Sequence, residues 1–262
     1  MRNDRKVMRY TKMHGLGNDY FFVFSEVPAN AAELSVKYSD RVSGIGSDGM
    51  IYINYSDKAD FSMRIFNADG SEARMCGNGI RCVARFVREK GYTERDELTV
   101  ETLSGIKRIW IDGESVTVDM GKVEVSDEIL LDIGLKCNPV NVGNPHAVVF
   151  TDDVELVLLR DIGPKIECNE AFKGRVNAEF VSILAENKLR MRVWERGSGE
   201  TQACGTGACA SVAAAVAKGF CRADEPITVR LDGGELEITI KSDYTAIMRG
   251  GAEFVSEGEI NE

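Results

Sequence analysis

"FNADGSEARMCGNGIRC", residues 66–82, returns in altered form as "WERGSGETQACGTGAC", residues 194–209. The match extends outward. Met63–Gly79 aligns without a gap on Met191–Gly207, and Gly91 and Gly219 keep the same spacing. Upstream, "GNDYFFVF" (17–24) pairs with "GNPHAVVF" (143–150), and downstream "LTVETLSG" pairs with "ITVRLDGG" at a one-residue shift. A duplication of this length makes each half a structural unit with the same order of elements. Each half starts with a strand, continues through β-like runs such as "GMIYINY" and "EFVSIL", reaches one long helix and closes with a β-meander. The fold class that follows is α+β: two pseudosymmetric halves, each a curved, mostly antiparallel sheet around a central helix, with the active site in the cleft between them. The halves are expected at 1–125 and 126–262, the repeat phase breaking near Ser126–Asn138, with part of the C-terminal tail packing back on the first half.

The two long helices differ in character. Asn78–Lys90 carries apolar residues at 80, 83, 84 and 87, one helical face, and Gly91 is a natural stop. Thr206–Lys218 is apolar nearly all round and is therefore expected at the centre of its half. A helix so placed needs partners for its N-terminal amides.

Lys plus Arg number 32 against 42 Asp plus Glu, a net charge of −10, which speaks against nucleic-acid or membrane-surface partners. An acidic total leaves an anionic small substrate open, because a site carries its own donors. "MRNDRKVMRYTK" lacks the apolar stretch of a secretory signal, so a cytoplasmic location is expected; Met8 is a second candidate start, with Met1–Val7 a short extension. Seven cysteines without dense spacing do not form a disulfide framework, and the absence of Cys-x-x-Cys, with His14 and His146 far apart, argues against a structural metal.

Cys76 and Cys204 each stand before Gly-x-Gly at a helix mouth. The positive end of the helix dipole favours a thiolate there, and glycine lets the first amides approach a carboxylate. One such device is a nucleophile site or an anion-binding turn. Two on a pseudosymmetric scaffold can serve a single carbon from opposite faces, one sulfur removing a proton and the other returning one. That is the chemistry of a cofactor-independent racemase or epimerase, provided the charge developing on the substrate carboxylate is stabilised. The second half has Glu195-Arg196 where the first has Asn67-Ala68, so a ligand with two unlike ends is read asymmetrically: a guanidinium fork for a carboxylate, Asn and Glu for an ammonium group. A thiol-disulfide protein is the competing class, but it would pair nearby cysteines. "GIGSDG" (44–49) satisfies G-x-G-x-x-G, yet it runs into a β-like segment rather than a helix, so Asp48 is read as a turn residue and not as part of a nucleotide site. Cys82 and Cys209 are read as core residues, His14 as structural, and Cys137, Cys168 and Cys221 receive no role.

"HGLGNDY", "FNADGSEARMCGNGIRC", "VGNPHAVV" and "ERGSGETQACGTGACA", in this order, resemble the diaminopimelate epimerase family over essentially the whole chain. The resemblance implies interconversion of LL- and meso-diaminopimelate, in lysine and cell-wall precursor synthesis, by two cysteines without pyridoxal phosphate or another cofactor. It makes Cys76 and Cys204 the catalytic pair. The amides of Gly77, Asn78, Gly205 and Thr206 hold the reacting carboxylate, while Asn18, Asn67, Asn144, Asn177, Glu195 and Arg196 line the pocket and fix the distal amino-acid head. His146 and Glu195 help to set the cysteines' protonation. A homodimer is implied as well. Gly49 stands where some members carry glutamine, which puts one peripheral contact in doubt. The alternative is a related cysteine-pair racemase for proline, hydroxyproline or histidine, which has no second amino-acid head to grip and so no use for Asn67, Asn177 and Arg196.

Overall fold

A computed structural model describes residues 7–261; residues 1–6 of the candidate N-terminal extension lie outside the described residues. The described residues form two compact units, one running to 117 and taking in 251 onward, the other 118–250. In chain order the first comprises β1 (Val7–Gly15), β2 (Asn18–Phe24), α1 (Ala31–Ser39), β3 (Gly49–Tyr55), β4 (Phe61–Asn67), β5 (Glu72–Ala73), α2 (Gly77–Glu89), β6 (Glu97–Thr102) and β7 (Gly105–Asp112). Strand β8 (Ser115–Lys122) carries the chain into the second unit, which holds β9 (Glu124–Val125), β10 (Ile129–Leu130), β11 (Lys136–Asn141), β12 (Pro145–Phe150) and α3 (Leu159–Glu167). It continues through β13 (Asn177–Ala185), β14 (Lys188–Glu195), β15 (Gly199–Thr201), α4 (Gly205–Ala217), β16 (Pro226–Leu231), β17 (Gly234–Ile240) and β18 (Thr245–Gly251), before β19 (Glu253–Asn261) returns to the first unit.

The duplication is visible in the strand pairing. β2 runs parallel to β3, β3 antiparallel to β4, β4 parallel to β6, and β6 antiparallel to β7. β12, β13, β14, β16 and β17 repeat this order and these senses. Each unit is thus α+β, a largely antiparallel sheet with a long helix packed on it. The compact units divide at 117/118, a few residues before the 125/126 read from the repeat, and the tail from 251 packs with the first unit, in line with the expected return of part of the tail. The tail is held by hydrogen bonding at long range: β19 pairs antiparallel with β1 from Asn261 opposite Val7 to Glu253 opposite His14, giving β1 a neighbour on each side. Hydrophobic periodicity carries no record of such a pairing.

The helices bury more than their patterns suggest. From Ala208 to Ala215 α4 is inaccessible and is touched by β9, β11–β14, β16 and β17. In α2, read from its apolar spacing as one-sided, every residue from Gly77 to Ala84 is buried, including Arg81 at 0% exposure. The Arg81 guanidinium is accommodated by Gly77 O at 3.0 Å, Asn78 Oδ1 at 2.9 Å and Gly251 O at 3.1 Å. The expectation of one helix per half falls short, because α1 and α3 add a second to each. α1 covers a cluster that includes Phe21, Met50, Tyr52 and Phe66, while α3 covers one with Ala147, Val149 and Phe180. Burying each large side chain of these clusters contributes roughly 1.5–3 kcal/mol. "GIGSDG" is a helix-to-strand connection between α1 and β3, the reverse of a dinucleotide-binding turn. No helix among the described residues is long and apolar enough to cross a membrane.

Candidate active site

Both long helices begin on a cysteine. Cys76 caps α2 with extended backbone angles (φ −137°, ψ 118°) and its Sγ accepts the Gly79 N–H at 3.2 Å. Cys204 caps α4 in the same way (φ −123°, ψ 109°), its Sγ accepting the Gly207 N–H at 3.3 Å. A thiol in this role is directed at the first turn, where amides unsatisfied within the helix offer an anion site. Gly79 and Gly207 are required by their surroundings. A Cβ on Gly79 would come within 2.7 Å of Ile51 Cδ1, and one on Gly207 within 2.7 Å of Glu179 Oε1.

Around Cys76 the partners include amides. Asn18, at the start of β2, presents Oδ1 to Cys76 Sγ at 3.4 Å and to Asn78 Nδ2 at 3.4 Å. Its amide cannot turn freely, because Nδ2 donates to Asp48 Oδ2 at 2.7 Å. Asp48 also accepts the Asp19 N–H at 3.0 Å and faces Arg41 at 2.8 Å. The residue read as a turn former therefore also orients the acceptor of the Cys76 thiol. Asn67, at the end of β4, donates from Nδ2 to Ser71 Oγ at 3.0 Å. Burial foremost, joined by the charge of Cys76, pushes the Cys82 thiol up to about 12, as befits a core residue.

Around Cys204 the partners are ionisable. His146 and Glu179 are inaccessible to solvent, and His146 Nδ1 lies 2.7 Å from Glu179 Oε1. Nε2 of the ring meets Asn144 Oδ1 at 3.0 Å, Asn144 Nδ2 donates to Thr206 Oγ1 at 3.3 Å, and Thr206 Oγ1 lies 3.5 Å from Cys204 Sγ. A continuous hydrogen-bonded chain thus joins Glu179 to the thiol. Glu195 is hydrogen bonded by Thr201 Oγ1. Burial pushes the Glu195 carboxyl above its ordinary range and Glu179 adds to this, against Thr201 and His146. Burial likewise holds the Cys204 thiol well up, with Glu195 and Glu179 adding and with hydrogen bonds from Thr206 and Gly207 opposing.

Asn177 and Arg196 are linked through the backbone. Asn177 Oδ1 accepts the Arg196 N–H at 2.9 Å, while its Nδ2 donates to Pro145 O at 3.2 Å. The Arg196 side chain is exposed. Its loop is secured from below by Glu167, which accepts Trp194 Nε1 at 2.7 Å and the Gly197 N–H at 2.8 Å. Gly49, the departure noted in the sequence, has φ +155°, and a Cβ there would fall 2.2 Å from Phe66 O. The backbone thus leaves no room for a side chain at 49.

Among the sequence-derived residues the structure assembles Asn18, Cys76 and Asn78 with Gly77 in the first unit. In the second it assembles Asn144, His146, Cys204, Thr206 and Glu195 with Gly205, and Asn177 with Arg196. Sequence reasoning missed Glu179, Glu167 and Thr201, and the contact of Asp48 with Asn18. A signal for Glu179 existed: it stands at the position of Ile51 in the repeat, a lone carboxylate inside the apolar run "NAEFVSIL". Glu167 had none, since it acts through a turn some 30 residues away in sequence. Among the described residues no group of three His, Cys, Asp or Glu is placed to hold a metal ion.

The sequence model described as diaminopimelate epimerase matches residues 10–126 and 139–255, one segment per repeat. A diaminopimelate epimerase of Parabacteroides distasonis is 47% identical over 269 residues, covering 97% of this chain and 98% of the relative. One of Acetivibrio thermocellus is 44% identical, with 97% and 99% covered, and one of Bacillus licheniformis 46%, with 96% and 97% covered. Among solved structures, a phenazine biosynthesis protein of the PhzF family from Bacillus anthracis superimposes with TM-score 0.76 at 18% identity, covering 98% of this chain and all of its own. A hydroxyproline epimerase from Agrobacterium vitis superimposes with TM-score 0.71 at 16% identity, covering 100% of this chain and 94% of its own. At these identities the structural likeness establishes the fold.

Proposed function

The chain belongs to the diaminopimelate epimerase family, and from that premise we propose that it interconverts LL- and meso-diaminopimelate by proton transfer between two cysteines and one α-carbon. The observation that carries the reading is the repeated placement of a thiol as the cap of a long helix, once in each half. In each direction one sulfur, as thiolate, takes the α-proton: a C–H bond breaks and an S–H bond forms. The other, as thiol, gives its proton to the opposite face, so that its S–H bond breaks and a new C–H bond forms with inverted configuration. The electron pair left on carbon in between is delocalised into the carboxylate. The first-turn amides of Gly77, Asn78, Gly205 and Thr206 are the donors proposed to stabilise it. Excluding water from the bound substrate would strengthen these interactions.

The remaining polar residues are assigned to recognition. Arg196 grips the distal carboxylate, and Asn18, Asn67, Asn144, Asn177 and Glu195 take the amino groups and orient the chain. Their retention disfavours a racemase of proline, hydroxyproline or histidine. His146 and Glu195 set the protonation of Cys204. The proposed route needs no cofactor, since both proton carriers are side chains. Its setting is lysine and cell-wall precursor synthesis in the cytoplasm, as a homodimer without nucleic-acid or membrane partners; a reducing compartment suits seven cysteines present as thiols.

The test is incubation with LL-diaminopimelate in heavy water, with chirality and label position both read out. The expected result is meso product carrying deuterium at one α-carbon; unlabelled, unchanged substrate would refute the assignment, and turnover of proline, hydroxyproline or histidine instead would select the alternative. Replacing Arg196 by Leu is expected to raise KM about tenfold or more with a smaller effect on kcat, since a charge-assisted hydrogen bond contributes roughly 1.5–3 kcal/mol. An unchanged KM would take Arg196 out of the pocket.

A further inference from the structure

The repeat equates Tyr20 with His146, through "GNDYFFVF" and "GNPHAVVF", and Ile51 with Glu179. The structure makes these equivalences physical. β2 runs parallel to β3 as β12 runs parallel to β13, and Ile51 and Glu179 approach the corresponding helix glycines, Gly79 and Gly207, at the same 2.7 Å from a built Cβ. In the second half the residue on β12 turns to the carboxylate on β13. In the first half the β3 position is aliphatic and offers no acceptor. Tyr20 is 6% exposed, so its hydroxyl must find another partner. Asn18 lies two residues away on the same face of β2, and its Oδ1 is 3.4 Å from Cys76 Sγ.

We propose that Tyr20 is the positioning residue of the first half, its hydroxyl donating to the Cys76 sulfur and supporting the thiolate when Cys76 gives up its proton. Burial, followed by the charges of Cys76 and Asp48, holds the Tyr20 phenol well above its ordinary range, so it remains a donor throughout the working pH of a cysteine enzyme. Within the first unit the groups around Cys76 are Asn18 and Tyr20 from β2, Asp48 from the turn before β3, and Asn78, Arg81 and Cys82 from α2. Of these, Tyr20 on β2 interacts by side-chain hydrogen bonds with both Cys76 and Asn18, and it is the uncharged hydroxyl of the group. The two thiols are therefore served by different chemistry on one scaffold, a phenol for Cys76 and an imidazole–carboxylate chain for Cys204. The link from Tyr20 to turnover rests on the epimerase reading; the link from Tyr20 to the thiol does not.

The test is Tyr20→Phe, which keeps the ring and removes the hydroxyl. Full-length wild type and variant are alkylated with iodoacetamide across a pH series, and the Cys76 peptide is followed by mass spectrometry, with exposed Cys168 as internal control. The expected result is a Cys76 midpoint about one pH unit higher in the variant, roughly a tenfold loss of thiolate at a given pH, with Cys168 unchanged. In turnover of diaminopimelate, kcat should fall about tenfold with KM within twofold, and the acid limb of the pH profile should move up by the same unit. An unmoved Cys76 midpoint overturns the proposal. A wild type that does not act on diaminopimelate would overturn the proposed function instead, and the comparison of midpoints would still stand.

Discussion

Cys76→Ala and Cys204→Ala are each expected to lose interconversion of LL- and meso-diaminopimelate by about a hundredfold to ten-thousandfold, because general acid–base groups contribute on the order of 10²–10⁴ and each face has only one. The loss should be one-sided in an informative way. With one sulfur removed, the other can still take a proton from the isomer presented to it and return a deuteron to the same face. Each variant should therefore exchange the α-hydrogen of a single isomer in heavy water without inverting it, and the two variants should choose opposite isomers. Circular dichroism of the product together with mass-spectrometric label counting separates exchange from inversion. Two-way turnover near the wild-type rate in either variant would remove that cysteine from the mechanism.

The largest effect on stability is expected at Glu179→Ala. Glu179 and His146 are both inaccessible, so removing the carboxylate strands the Nδ1 side of a buried ring and leaves a cavity; an unsatisfied buried polar group costs about 1–3 kcal/mol and the cavity adds to this. In a protein of this size that corresponds to a fall in Tm of roughly 10 °C, measured by calorimetry. Glu179→Gln should cost less, since the amide oxygen still accepts from the ring. The first half indicates a repair. A double variant carrying Glu179→Ile and His146→Tyr installs the pair found at Ile51 and Tyr20, and replacing both partners of a buried polar contact together is often nearly neutral. It should recover most of the stability while leaving turnover impaired. A Glu179→Ala variant within about 1 kcal/mol of wild type would show that the pair adds nothing to the fold.

Where the sequence was readable, the information was local. A helix start is decided by a few consecutive residues, so Cys-Gly-x-Gly located both helix caps, and Gly91 and Gly219, at φ +75° and +73°, ended the same helices. Where it was not, neighbours in space overruled neighbours in sequence. α3 reads "LRDIGPKIE", with Gly163 and Pro164 where a helix is least favoured. It forms because Gly163 lies against Trp194, so closely that a Cβ would come within 2.4 Å of the ring. α1 hid for the opposite reason: its core positions include Ser35, whose hydroxyl donates to Phe66 O at 2.8 Å, and a buried serine weakens the apolar period.

The chain by itself determined the duplicated α+β halves, the two capping thiols and most of the polar residues now placed around them, because repetition and capping are written in contiguous residues. Only the tertiary structure decided that Arg81 is buried, that β19 completes the first unit, that Asp48 orients Asn18, and that Glu179 stands behind His146. Each of these depends on burial and on hydrogen bonds between strands distant in sequence, and the cost of desolvating a charge is set by what surrounds it in space.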